Sequence, residues 1–263
     1  MDATRRDYMA ELGLTVPDPQ HYSNAPIQEA ILEIRVVGVD PALVDQLEKV
    51  VSCEGYSNVA KEYDVSGQIA FEGDQFVSSA EQRLVGYRAL RHDGRRAVRA
   101  RVDLLSFSWL RPYDRWESFI AEALQHLERY QKTVSAGAVS RVGVRMINRI
   151  DIEKQSVEIK DYVRTAVDIS PYLPQMMTGY FFQVDVPLLG HDAQARIIST
   201  LVQPEKPATT SLVLDLDVWR DVDFGLTGGD SDSQLAPHLA DLRTLKNYVF
   251  EACITDATRG LIR

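Results

Sequence analysis

Between Ala25 and Val39 the even positions Ala30, Leu32, Ile34 and Val36 are apolar, and Glu29, Glu33 and Arg35 alternate with them. A period of two sends these sets to opposite sides of a strand, so the segment has one buried and one polar face. The same alternation returns from Val139 to Ile152, where Val142, Val144, Met146, Ile150 and Ile152 share a side. Half-buried strands need a sheet, and the apolar face of a sheet needs a layer to cover it.

Two stripes at helical spacing can supply that layer. Trp116, Phe119, Ile120, Ala123, Leu127 and Tyr130 form one, introduced by Asp114 and Glu117 at capping-box spacing. Leu235, Leu239, Leu242, Leu245, Val249 and Cys253 form the other. Asp40-Pro41 predicts a short helix to about Cys53, with aspartate as cap and proline at the first helical position. A further short helix is expected over 158–167. Alternation over 83–91, 96–109, 178–188, 195–203 and 210–222 predicts strands, and His92-Asp93-Gly94-Arg95 carries the Asp-Gly signature of a tight hairpin turn. Residues 56–76 read as a loop with one strand around Gly67–Phe71.

The order strand, helix, three strands, long helix thus occurs twice. The expected fold is α+β, a long, mostly antiparallel sheet built from two βαβββα-like halves, with the helices mainly on one face. The halves are residues 24–135 and 136–263, joined in one compact domain, and residues 1–23 form an N-terminal arm. The third strands even end alike, Val102–Trp109 beside Leu212–Trp219.

Charge narrows the function. Lys and Arg number 29 against 38 Asp and Glu, a net charge of -9 that denies the chain a global pull toward nucleic acid or anionic lipid. No stretch of 18 apolar residues occurs and the N-terminus lacks a secretory pattern, so a cytoplasmic protein without a membrane partner is expected. Cys53 and Cys253 outline neither a disulfide framework nor a zinc site. Catalytic signatures such as G-x-S-x-G, H-E-x-x-H and the phosphate-cradling glycine loops are missing, so a non-enzymatic protein without a cofactor is the leading expectation.

If even positions face the helices, the odd positions collect Glu29, Glu33, Arg35, Arg99, Arg101, Asp103, Trp109, Arg141, Arg145, Arg149, Asp215, Asp217 and Trp219 on the open face. Arg141, Arg145 and Arg149 recur about 13 Å apart along one strand, and Glu29 and Glu33 share that spacing on the strand that opens the first half. Those two strands are expected side by side at the centre of the sheet. Arg145 and Arg149, with Asn148 nearby, then form the lip of a partner-binding surface completed by Trp109 or Trp219, with Arg99 and Arg101 as further contacts. The partner is expected to be a protein or a nucleotide-like ligand.

Two alternatives stand beside that expectation. Residues 83–101 hold seven arginines against Asp93 alone, and the planar fork of arginine suits phosphate, so this hairpin is where nucleic acid would bind. Asp215 and Asp217 project to the same side of a strand and can reach one magnesium ion, which would make the chain a magnesium-dependent enzyme acting on a phosphate-containing substrate.

Four segments in succession, Tyr22-Ser-Asn-Ala-Pro-Ile-Gln-Glu-Ala-Ile-Leu-Glu-Ile-Arg35, Arg141-Val-Gly-Val-Arg-Met-Ile-Asn-Arg-Ile150, Leu214-Asp-Leu-Asp217 and Leu245–Asp256, resemble the motifs of a sporadically distributed, functionally unassigned family of bacterial and archaeal proteins of about this length. The likeness spans about residues 21–259. Met146 departs from it, standing where the family pattern has an aromatic residue. The resemblance implies no catalytic residue. The patchy distribution of such genes implies an accessory role in a mobile-element or defence system.

Overall fold

A computed structural model describes residues 18–72, 75–134, 137–227 and 231–263. Among the described residues nine strands form one antiparallel sheet in the order β2-β3-β4-β5-β1-β6-β9-β8-β7. They are β1 (Ile27–Val37), β2 (Tyr56–Glu72), β3 (Gln75–Arg91), β4 (Arg96–Arg101), β5 (Leu104–Leu110), β6 (Ala138–Ile152), β7 (Phe181–Leu188), β8 (Ala193–Val202) and β9 (Thr210–Gly225). Four helices accompany them, α1 (Glu48–Val51), α2 (Trp116–Thr133), α3 (Ser231–Cys253) and α4 (Asp256–Ile262). Sheet and helices together are an α+β architecture. No helix among the described residues is long and apolar enough to cross a membrane.

The alternating apolar positions of β1 and β6 do what their period requires. The two strands pair antiparallel at the middle of the sheet, with Leu32 opposite Val144 and Ala30 opposite Met146, and all four side chains are buried. On the same side, Phe107 of β5 lies opposite Leu32 and its ring packs on Phe119 and His126 of α2. Phe224 of β9 stacks in turn on His238 of α3. From the two helical stripes Phe119, Leu127, Leu242, Leu245 and Val249 are buried, and Trp116 is partly buried. Each such side chain removed from water contributes about 1.5–3 kcal/mol.

Charged groups lock the C-terminal end. Arg259 of α4 donates to Glu251 at 2.9 Å, both side chains almost wholly buried, and Tyr22 donates to the other oxygen of that carboxylate at 2.7 Å. The last residues of the expected arm are therefore held against α3 and α4, while residues 1–17 lie outside the described residues.

Several expectations need correction. The strand expected over 96–109 is two strands, broken at Val102–Asp103, so the first series carries four strands after its short helix instead of three. Residues 56–76, read as loop and one short strand, are the long β2 and the beginning of β3. Tyr63 and Val65 do alternate there with Glu62 and Asp64, but they are 49% and 65% exposed, so the short period belongs to a solvated ribbon and reads as a loop. The helix expected over 158–167 is only a 3-10 turn at Ile159–Asp161. Asp40 does cap its helix, accepting from the Ala42 amide, although most of that helix, Pro41–Leu47, is 3-10. Asp114 caps nothing; it accepts from the Ser118 hydroxyl, and α2 starts one residue later without a side-chain cap.

Candidate functional site

The face opposite the apolar core carries an ordered set of charges around one tryptophan. β6 is flanked by β1 and β9, so an arginine on it reaches carboxylates on both sides. Arg141 donates through Nη1 to Glu33 of β1 at 3.1 Å and through Nη2 to Asp217 of β9 at 2.8 Å. One guanidinium thereby ties three strands. It also lies over the ring of Trp219, 4.5 Å from its centre, while Arg196 of β8 approaches the same ring at 5.9 Å. These are cation–π distances.

Gly143 makes this packing possible. It pairs with Trp219 on one side and Glu33 on the other. A Cβ there would stand 3.2 Å from the Trp219 Cβ and 3.6 Å from Asp217 Oδ1, so a side chain would crowd the base of the tryptophan. Beneath this cover burial pushes the Asp217 carboxyl above its ordinary value, against the lowering effect of Arg141.

Arg145, two residues further, grips both oxygens of Asp215, through Nε at 2.8 Å and through Nη2. The hydrogen bond to that carboxylate holds the guanidinium even more firmly in its charged form. The pair is lopsided in exposure: Asp215 is sealed at 8%, whereas Arg145 remains 43% exposed. Arg145 is the part of the ladder that a partner can touch. Arg149 is different, because its side chain bonds Asp151, Ser211 and the Gln203 carbonyl at 3.0–3.2 Å and is 13% exposed. It fastens the end of the sheet.

Arg99 and Arg101 lie on the same face but in a separate cluster. Arg99 donates to Glu62 at 2.8 Å and Arg101 to Asp64 at 3.2 Å and Asp103 at 3.1 Å. Strands β5 and β1 separate this group from Arg141 and Arg145, about 14 Å at ordinary strand spacing. Within that gap β5 contributes Ser106 and Ser108 opposite Glu33 and Ile31.

Two of the expected surface residues face the other way. Asn148 is 2% exposed among the core residues and donates to the carbonyls of Met146 and Leu214; it is an even-numbered residue of β6, like Met146 and Ile150. Trp109 is 6% exposed, packs near Tyr113, donates to the Pro112 carbonyl, and has the Arg96 guanidinium 3.5 Å from its ring centre. Its misplacement follows from the Val102–Asp103 turn. Arg101 pairs with Leu104 across it, so odd positions of β4 and even positions of β5 share a face.

The basic hairpin is also less basic than its sequence. Glu62 and Asp64 of β2 meet Arg99, Arg101 and Arg83, and Glu122 of α2 meets Arg91 and Arg96. Glu62 and Asp64 escaped notice because most of β2 did. The magnesium alternative meets a similar obstacle, since Asp215 and Asp217 each engage an arginine. Among the described residues no group of three or more His, Cys, Asp or Glu side chains is placed to hold a metal ion.

Comparison with protein-family models and with curated protein sequences yields no match to this chain.

Proposed function

We propose that this chain is a non-enzymatic binding or regulatory protein, and that Trp219 with Arg145 forms the centre of its partner surface. The observation that carries the proposal is the position of Trp219, a half-buried indole over Gly143 between the guanidinium groups of Arg141 and Arg196. A tryptophan and an arginine with unspent donors are the side chains most enriched at the energetic centres of interfaces. Desolvation offsets much of the attraction in the part-buried pairs of Arg141 with Glu33 and Asp217, so stability gives little reason to assemble them around a half-buried ring.

Because nearly every arginine of the face already holds a carboxylate, a protein presenting both charges fits better than a nucleotide-like ligand, whose phosphates would have to displace those carboxylates. A charged sheet face of this kind suits a binding platform. The resemblance to a sporadically distributed bacterial and archaeal family supports an accessory role in a mobile-element or defence system. The test is capture of partners from the native host by the wild-type chain and by Trp219→Ala with Arg145→Ala. Loss of a specific partner with nearly the same melting temperature supports the proposal, and undiminished capture refutes it.

A further inference from the structure

In a chain with 25% charged residues, the 22 residues from Ile169 to Gly190 contain a single charge, Asp185. That charge is neutralised by a two-point contact with Arg196 at 2.7 and 2.8 Å. The stretch is far from buried: Tyr172 is 94%, Met176 74%, Phe181 66% and Leu189 65% exposed. Four such side chains carry on the order of 500 Å² of accessible surface, a large part of the about 800 Å² that each partner contributes to a standard interface.

Within this stretch lies β7, an edge of the sheet. The Leu201 amide donates to the Tyr180 carbonyl, and the ladder then runs through Phe182–Ser199 and Val184–Ile197. In an antiparallel ladder these alternate pairs exchange the hydrogen bonds, so Phe181, Gln183 and Asp185 turn their N–H and C=O groups outward, away from β8. Pro187 is next in that series and has no N–H to offer, which is how proline is accommodated at an edge.

This edge complements itself. With Gln183 opposite Gln183 of a second copy, Phe181 falls opposite Asp185 and its arginine partner, and about six backbone hydrogen bonds form. Beyond the strand, the turn at Leu189, beside a groove lined by Leu188 and Trp219, comes to the end of the pair where the other copy's chain enters β7. The apolar loop at one end of β7 thus meets the apolar turn at the other end. A neutral edge also lets a second molecule of net charge -9 approach there without direct repulsion.

We propose that the chain is a homodimer in which two β7 strands pair antiparallel about a two-fold axis at Gln183, making one continuous sheet across both copies. The proposal rests on the backbone edge of β7, not on the reading of Trp219 and Arg145 above, although the two surfaces adjoin at Arg196 and Trp219. Sedimentation velocity tests it. The wild-type chain is expected to sediment as a dimer at micromolar concentration. Gln183→Lys and Gln183→Glu each set like charges face to face on the axis, weakening dimerisation more than about tenfold without changing the melting temperature of the monomer. Mixing the two variants is expected to restore a heterodimer, because only this register sets Lys opposite Glu. A wild-type chain that remains monomeric at high micromolar concentration overturns the proposal and leaves the edge to a strand from a different protein. A dimer indifferent to either charge, or a mixture that stays monomeric, overturns it as well.

Discussion

Trp109 and Trp219 close two stretches of sequence that look alike, yet they stand on opposite faces of the sheet. Trp109 is sealed beneath α2, with Arg96 over its ring. Trp219 faces outward, held by arginines from two neighbouring strands. The difference is one tight turn: β9 runs unbroken from Thr210, whereas the segment before Trp109 reverses at Val102–Asp103. Similar residues serve the core in one part of the sheet and the surface in another, because a side chain's face depends on pairing and only indirectly on its neighbours in the chain.

The largest expected effects lie on the covered side. Trp109→Ala is expected to cost about 3–5 kcal/mol in urea denaturation, through lost burial and the cavity left behind. Arg259→Ala belongs to the same class, since it leaves the buried Glu251 carboxylate without its charge partner, at about 3–5 kcal/mol. If either variant is as stable as wild type, the division of the molecule into a sealed and an open side fails.

The next prediction concerns pH. His126 of α2 is buried, with its Nε2 3.1 Å from the Tyr56 hydroxyl, and burial pushes its pKa down from 6.5 to about 4. The unfolded chain therefore takes up the proton first as pH falls. Stability from this group is complete above about 6.5 and is lost progressively down to about 4, by roughly 3 kcal/mol. A His126→Phe variant should lack that component of the slope. Asp217 on the open side has the opposite sign: its raised pKa means the folded chain holds the proton longer, so its contribution weakens as pH rises through the folded value. Stability against pH for Asp217→Asn and His126→Phe should shift the slope in opposite directions.

A smaller effect, about 1 kcal/mol or less, is expected for Trp219→Ala and for Arg196→Ala, whose ion pair with Asp185 is exposed and screened by salt. A loss as large as that of Trp109→Ala would assign Trp219 to the core and remove the basis for a partner surface. The smallest effect is none at all: millimolar magnesium should leave the melting temperature unchanged, because Asp215 and Asp217 are engaged by Arg145 and Arg141. A stabilisation by magnesium that Asp217→Asn abolishes would restore the metal alternative.

Strands with one buried face were legible. β1, β6, β7, β8 and β9 were found within a few residues, as were the Asp93-Gly94 turn and the stripes of α2 and α3. β2 was read only around Gly67–Phe71, because the alternation of Tyr63 and Val65 with Glu62 and Asp64 is short and its apolar side stays exposed, and Glu62 and Asp64 were lost from the inventory of charges with the rest of the strand. Arg145, Trp219 and Asp217 were placed on the correct side by parity alone. Trp109 and Asn148 were not. Trp109 failed at a turn, and Asn148 because its polarity outweighed its even position in β6, where it bonds main-chain carbonyls inside the core.

By itself, then, the sequence determined which segments alternate, which helical stripes must be covered, and that arginines and carboxylates recur on the uncovered side. These follow from local periodicity, a property that each segment carries wherever it is placed. Only the tertiary structure decided which carboxylate each arginine meets: Glu33 and Asp217 for Arg141, and Asp215 for Arg145. It also decided that β7 ends the sheet, paired to β8 on one side only. Strand order and register join residues 70–108 positions apart, and that long-range pairing is selected by the cooperative burial of the whole apolar face, which no short window of sequence contains.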